Sequence, residues 1–110
     1  MFETVCKEDD IWEDSMTLAL AGSQVVMVVW PDGNRPRAFQ GICPHNGQPL
    51  HDADYDGIYV TCPLHKWRFD GRTGLAADGG ETPLAVYPLK IEGGKVWVDV
   101  AGAKVNLAPR

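Results

Sequence analysis

Apolar residues recur along this chain at a spacing of two. Lys95 to Val100 alternates cleanly, with Val96, Val98 and Val100 on one side and Lys95, Trp97 and Asp99 on the other. That period belongs to a strand, whose successive side chains point to opposite faces. Val25 to Trp30, rich in β-branched residues, predicts a strong strand, and Met16 to Leu20 a weaker one. Pro31-Asp32-Gly33-Asn34 predicts a turn, with Arg37 to Gln40 pairing back as the second arm of a hairpin. Gly57 to Thr61 and Lys66 to Phe69 predict two short strands, followed by turns at Asp70-Gly71 and Thr73-Gly74. Leu84 to Glu92 alternates in part and meets Gly93-Gly94, a hairpin signal, before Lys95 to Val100. No long stretch has helical periodicity. One helical turn is expected at Lys7 to Trp12.

The expected fold class is therefore all-β, a small antiparallel sandwich or barrel. A length of 110 residues suits a single domain, 1–110, with one hydrophobic core. The segment 41–72 departs from the rest, being turn-rich and poor in long apolar runs. It reads as a small subdomain inserted into a β base made of 1–40 and 73–110, and a metal site would stiffen it where its own core cannot. The tail after Ala101 is expected to fray.

Charge narrows the choice of partners. The formal net charge is −5 and the basic residues form no run, which argues against nucleic acid. Residues 1–40 carry seven acids against three bases, whereas 73–110 balance at four and four. The acids of Glu8 to Asp14 suit a solvated turn or a face for docking on basic partners. MFETVCKEDD lacks the basic start and apolar run of a signal peptide, and VVMVVW is too short to span a bilayer. Three cysteines, two of them beside histidines, point to metal-bound thiolates in a reducing cytoplasm and away from a disulfide framework.

The candidate chemistry sits in two clips, Cys43-Pro-His45 and Cys62-Pro-Leu-His65, with sixteen residues between them. Two thiolates and two imidazoles suit either one tetrahedral zinc or a two-iron, two-sulfide cluster. A zinc finger ordinarily presents a cysteine pair first and a histidine pair later. Here each clip supplies one of each, so both clips can grip a cluster from opposite sides.

CPH at residue 43 and CPLHKW at residue 62 resemble the two cluster loops of Rieske-type ferredoxins. The segments VCKEDDIWE, AFQGICPH, WRFDGRTG and LAVYPLKIEGGKVWVDV are similar to the ferredoxin component of bacterial multicomponent toluene-type monooxygenases. The resemblance covers nearly the whole chain. It implies a Rieske fold and one [2Fe-2S] cluster. Cys43 and Cys62 would bind the buried iron, and His45 and His65 the outer iron at the surface. Pro44 and Pro63 stiffen the clips, Gly47 permits a left-handed turn or a close backbone approach, and Trp67 flanks the cluster or shields it.

Departures from the family matter as well. High-potential Rieske proteins carry an extra cysteine in each loop and a Gly-Ser after the second histidine. This chain has Asn46-Gly47-Gln48, Pro63-Leu64 and Lys66-Trp67 at those places. Fewer hydrogen bonds to the cluster sulfurs imply a potential near the low end of the Rieske range, roughly −150 mV. A clearly positive midpoint in a redox titration would refute this. The outer-iron imidazoles imply a midpoint that falls at alkaline pH, and a flat profile would contradict them. His51 is expected at the surface and Cys6 as a partly buried free thiol. Trp12, Trp30 and Trp97 are expected to be packing residues.

The resemblance implies an electron carrier with no catalytic residue of its own, monomeric and cytoplasmic. It would take electrons from an NADH-dependent flavin reductase and pass them to a di-iron monooxygenase hydroxylase acting on an aromatic or alkene substrate. Three alternatives differ in the acceptor or the class. They are a ferredoxin for an aromatic-ring-hydroxylating dioxygenase, a small Rieske-like subunit of a nitrite reductase, and a zinc-stabilised interaction module.

Overall fold

A computed structural model describes residues 2–44, 49–50, 53–62, 67–78, 82–101 and 105. Among the described residues eleven strands form three antiparallel sheets. The first sheet orders β1 (Glu3–Lys7), β11 (Lys95–Val98) and β10 (Leu89–Glu92). The second orders β2 (Ser15–Ala21), β3 (Gln24–Trp30), β4 (Arg37–Gln40) and β9 (Val86–Tyr87). The third orders β5 (Asp54–Tyr55), β6 (Tyr59–Thr61), β7 (Arg68–Asp70) and β8 (Ala76–Asp78).

The apolar run VVMVVW has a physical reason. Strand β3 is covered on both faces, so it carries no polar alternation. Val26 and Val28 pack toward Val98 and Val96 of the first sheet. Met27 and Val29 point the other way, into a core shared with Val60 and Phe69 of the third sheet. Ala38 and Phe39 of β4 divide in the same manner. The second sheet is thus the middle of three layers. The all-β expectation holds, and this double burial is the feature that alternation alone does not reveal.

Most predicted strands appear close to their expected places. Pro88 divides the stretch Leu84 to Glu92 into β9 and β10, because it has no N–H to give a ladder. Gly93 and Gly94, at φ 63° and 77°, make the tight turn into β11. The turn at Pro31 closes with Asn34 N–H donating to the Pro31 carbonyl at 3.0 Å.

Three expectations need correction. Lys7 lies in β1, and the helical turn shrinks to a 3-10 turn over Glu8–Asp10. Its entry is held by the Lys7 N–H donating to the Asp10 carboxylate at 3.0 Å. Trp12 is not a packing residue, since it is 62% exposed; Trp30 and Trp97 are half-buried. Strands β1, β5 and β8 were not predicted, and β8 extends the third sheet past residue 72. Residues 102–104 and 106–110 of the tail lie outside the described residues. Among the described residues no helix is long and apolar enough to cross a membrane.

Candidate metal centre

The first clip leaves the end of β4. Gly41 N–H donates to the Val25 carbonyl at 3.0 Å, and a Cβ on Gly41 would stand 2.5 Å from Val25 Cγ1. Only glycine lets the chain turn away from the sheet so close to β3. Leu50 N–H then donates to the Gly41 carbonyl at 2.8 Å, and Ile42 bridges Pro49. These contacts close the loop that holds Cys43 and Pro44. Both are buried, Cys43 to 1% exposure.

Gln40 sits beneath this loop, fully buried. Its side-chain Nε2 donates to the Ile42 carbonyl at 2.9 Å, and its Oε1 accepts from the Ala85 N–H at 2.8 Å. Its backbone N–H also donates to the Ala85 carbonyl at 3.0 Å. A polar side chain this deep must be hydrogen-bonded, and this one is bonded at both ends.

Cys62, the first residue of the second clip, follows β6, which pairs with β7. Thr61 pairs with Arg68, and beyond that pair Cys62 N–H donates to the Trp67 carbonyl at 2.8 Å. Cys62 is 2% exposed. Trp67 is half-buried and packs against the same core as both cysteines.

Cys43 and Cys62 therefore come from loops nineteen positions apart and enter one apolar core with Leu50, Val60, Phe69 and Leu84. No disulfide links Cys43, Cys62 and Cys6. Cys6 is half-buried at the edge of the first sheet, and its thiol is pushed up by burial and then by the Asp10 charge. Tyr55, against the shared core, donates to the Trp30 carbonyl at 3.2 Å. Burial, with the charges of Asp14, Asp56 and Asp32, raises its phenol to about 12.

His45, Gly47, His51, Pro63 and His65 lie outside the described residues. Among the described residues no group of three or more His, Cys, Asp or Glu side chains is placed to hold a metal. The described half of the donor set still suits an iron–sulfur group. It offers two unlinked thiols, buried, each at the start of a closed loop. Sequence reasoning found both cysteines and missed Gln40. The signal was there: a polar residue after Ala38 and Phe39, just before the glycine that begins the loop.

Comparison with known proteins places the chain. The Rieske [2Fe-2S] domain family matches residues 1–88. The ferredoxin component of the alkene monooxygenase system of Xanthobacter autotrophicus is 34% identical over 96 residues, 86% of this chain and 77% of the relative. The ferredoxin component of the p-cumate 2,3-dioxygenase system of Pseudomonas putida is 34% identical over 103 residues, 92% and 87% of the two chains. A chain in the solved complex of reduced oxygenase and oxidised ferredoxin of carbazole 1,9a-dioxygenase is 25% identical, with a TM-score of 0.75 over 88% of this chain and 91% of that one.

Proposed function

The chain belongs to the Rieske [2Fe-2S] domain family, and on that premise we propose that it is a one-electron carrier between a reductase and an oxygenase. When bound, the cluster would supply one-electron redox chemistry. Cys43 and Cys62, both buried, would hold one iron as thiolates. His45 and His65 would hold the other. Imidazole in place of thiolate leaves the group less negative, which favours reduction relative to an all-cysteine set. Pro44, buried beside Cys43, fixes φ in the first clip, and Pro63 does so in the second. Gly47 gives the first loop room to turn, and Trp67 covers the core beside Cys62.

The observation that carries this reading is the convergence of two loop cysteines in one dry core, on a chain matched by the family over residues 1–88. The subdomain that presents the loops is read as 41–72 between base segments 1–40 and 73–110. The donor is an NADH-dependent flavin reductase, and the acceptor is a di-iron monooxygenase hydroxylase. Similarity to the ferredoxin of an alkene monooxygenase system supports that acceptor. The carrier works as a cytoplasmic monomer, whose interfaces must be small and charge-rimmed so that docking is brief.

A second acceptor, an aromatic-ring dioxygenase, is favoured by the equal identity to the p-cumate system's ferredoxin. One assay separates the two. Reduced protein is mixed with each class of oxygenase, and the rate of cluster reoxidation is followed. Rapid reoxidation by the di-iron hydroxylase alone supports the first acceptor; rapid reoxidation by the dioxygenase alone replaces it. Purified protein that is colourless, carries zinc and gives no rhombic EPR signal on reduction removes the electron-carrier reading altogether.

A further inference from the structure

Gln40 is the one fully buried polar side chain that touches the stem of the first cysteine loop among the described residues. It lies three positions before Cys43, at the end of the middle sheet. We infer that Gln40 is a positioning residue for the cluster, whose buried amide sets the plane of the Ile42–Cys43 peptide and so the direction in which Cys43 presents its sulfur. This inference rests on the reading of Cys43 as a ligand.

The geometry carries the argument in three steps. The Ile42 carbonyl belongs to the peptide unit that ends at the Cys43 Cα, and that unit is planar and rigid. Gln40 Nε2 holds this carbonyl at 2.9 Å. The amide cannot swing to follow the loop, because its Oε1 accepts from the Ala85 N–H at 2.8 Å while the Gln40 backbone N–H donates to the Ala85 carbonyl at 3.0 Å. A donor is required on one side and an acceptor on the other, and the primary amide in this orientation satisfies both. Ala85 is itself anchored through its neighbour, since Leu84 N–H donates to the Gly74 carbonyl at 2.8 Å. Gln40 therefore ties the first loop to a segment that also meets the third sheet, which carries the second loop. Of the other restraints on the stem, the Gly41 N–H ties it to Val25 of β3, while the Leu50 N–H on the Gly41 carbonyl and the Ile42–Pro49 bridge join the two ends of the loop to each other. The Gln40 amide joins the loop to the residues 84–85 on the far side.

A ligand held in one orientation gives one cluster environment, and a loosened one gives a spread. Two variants remove the bonds. Gln40→Met keeps the length of the side chain and loses both partners. Gln40→Leu also loses both, with a branched side chain of similar volume. Val98→Ala, buried in the base away from the loops, is the control for ordinary loss of stability.

Each protein is purified with its cluster and studied well below its melting temperature. Both Gln40 variants should show broadened g-values in the EPR spectrum of the reduced state and release iron to a chelator several times faster than wild type. Val98→Ala should melt earlier with wild-type EPR linewidths and release. Should Gln40→Met fail to fold, Gln40→Leu carries the test by the same two readouts. Gln40 variants that melt earlier but keep wild-type linewidths and release would overturn this inference alone. A wild-type protein without the rhombic signal would overturn the reading of the cysteines, and this inference with it.

Discussion

The middle sheet and the third sheet differ in how they are held. Strands β2 and β3 run seven residues each, and β3 is buried on both faces. The strands of the third sheet have two or three residues, and a hairpin that short is marginal by itself. Its core side chains, Val60 and Phe69, are few, and much of what surrounds them is Met27, Val29 and Phe39 from the middle sheet. The remaining places in that core belong largely to the loops, including both cysteines. The contrast teaches that the base is built to stand by hydrophobic burial, while the third sheet borrows much of its core from the base.

The largest effect should come from removing the iron. Anaerobic treatment with a chelator is expected to abolish amide-exchange protection over Tyr59–Thr61 and Arg68–Asp70 while Gln24–Trp30 keeps its own. Equal loss in both regions, or none in either, would erase the contrast. Next comes the joint itself. Phe39→Ala empties a fully buried ring site between the two sheets and should cost about 3–5 kcal/mol in urea unfolding. A cost below about 1 kcal/mol would mean that the regions pack independently.

A smaller effect is expected where the third sheet touches the base most closely. Gly71 N–H donates to the Ile58 carbonyl at 2.7 Å, and an added Cβ would lie 2.7 Å from that oxygen and 2.9 Å from Val29 Cγ1. Gly71→Ala should therefore destabilise by about 1–3 kcal/mol through overpacking. An unchanged urea midpoint would show that the joint yields freely.

The smallest effect lies on the subdomain's outer surface. Arg72 Nε and Nη2 donate to the two oxygens of Asp70 at 3.0 and 2.9 Å, and the Arg72 N–H donates to Asp70 Oδ1 at 2.8 Å. The Arg72 side-chain hydrogen bond, first among the causes, holds the Asp70 carboxyl below the usual carboxylate range. A group depressed in the folded state stabilises above its unfolded pKa, and that stability is lost as pH falls through the folded value. Melting of Asp70→Asn should thus trail wild type slightly at neutral pH and converge with it in acid. The Arg72 side chain is 43% exposed, so solvent screening keeps the difference small. A gap that widens in acid would contradict this assignment.

How much was legible follows the same division. The hairpin of β10 and β11 could be read because each signal is local: alternation on both arms and two glycines between them. Strand β3 could be read from its β-branched run. Two of the unpredicted strands are very short and have little strand preference of their own. Ala76–Asp78 is a strand because β7 pairs with it, and Asp54–Tyr55 because β6 does. Cys43 and Cys62 could be singled out because metal-ligand chemistry admits few residue types, and the structure brings both into one core. Gln40 was harder to read: its place between Phe39 and Gly41 marks it, but its burial is decided by packing against residues 84–85.

What the chain dictates alone is the local part of the design: strand period, turn residues, and the cysteine–histidine clips with their spacing. Those depend on backbone preference and on donor chemistry, which neighbouring residues already determine. Only the folded arrangement decides that β3 is covered on both sides, that residues 40 and 85 lock together, and that two distant thiols share one core. Such outcomes depend on packing between segments far apart in the chain, where burial gains meet the cost of closing the loops between them.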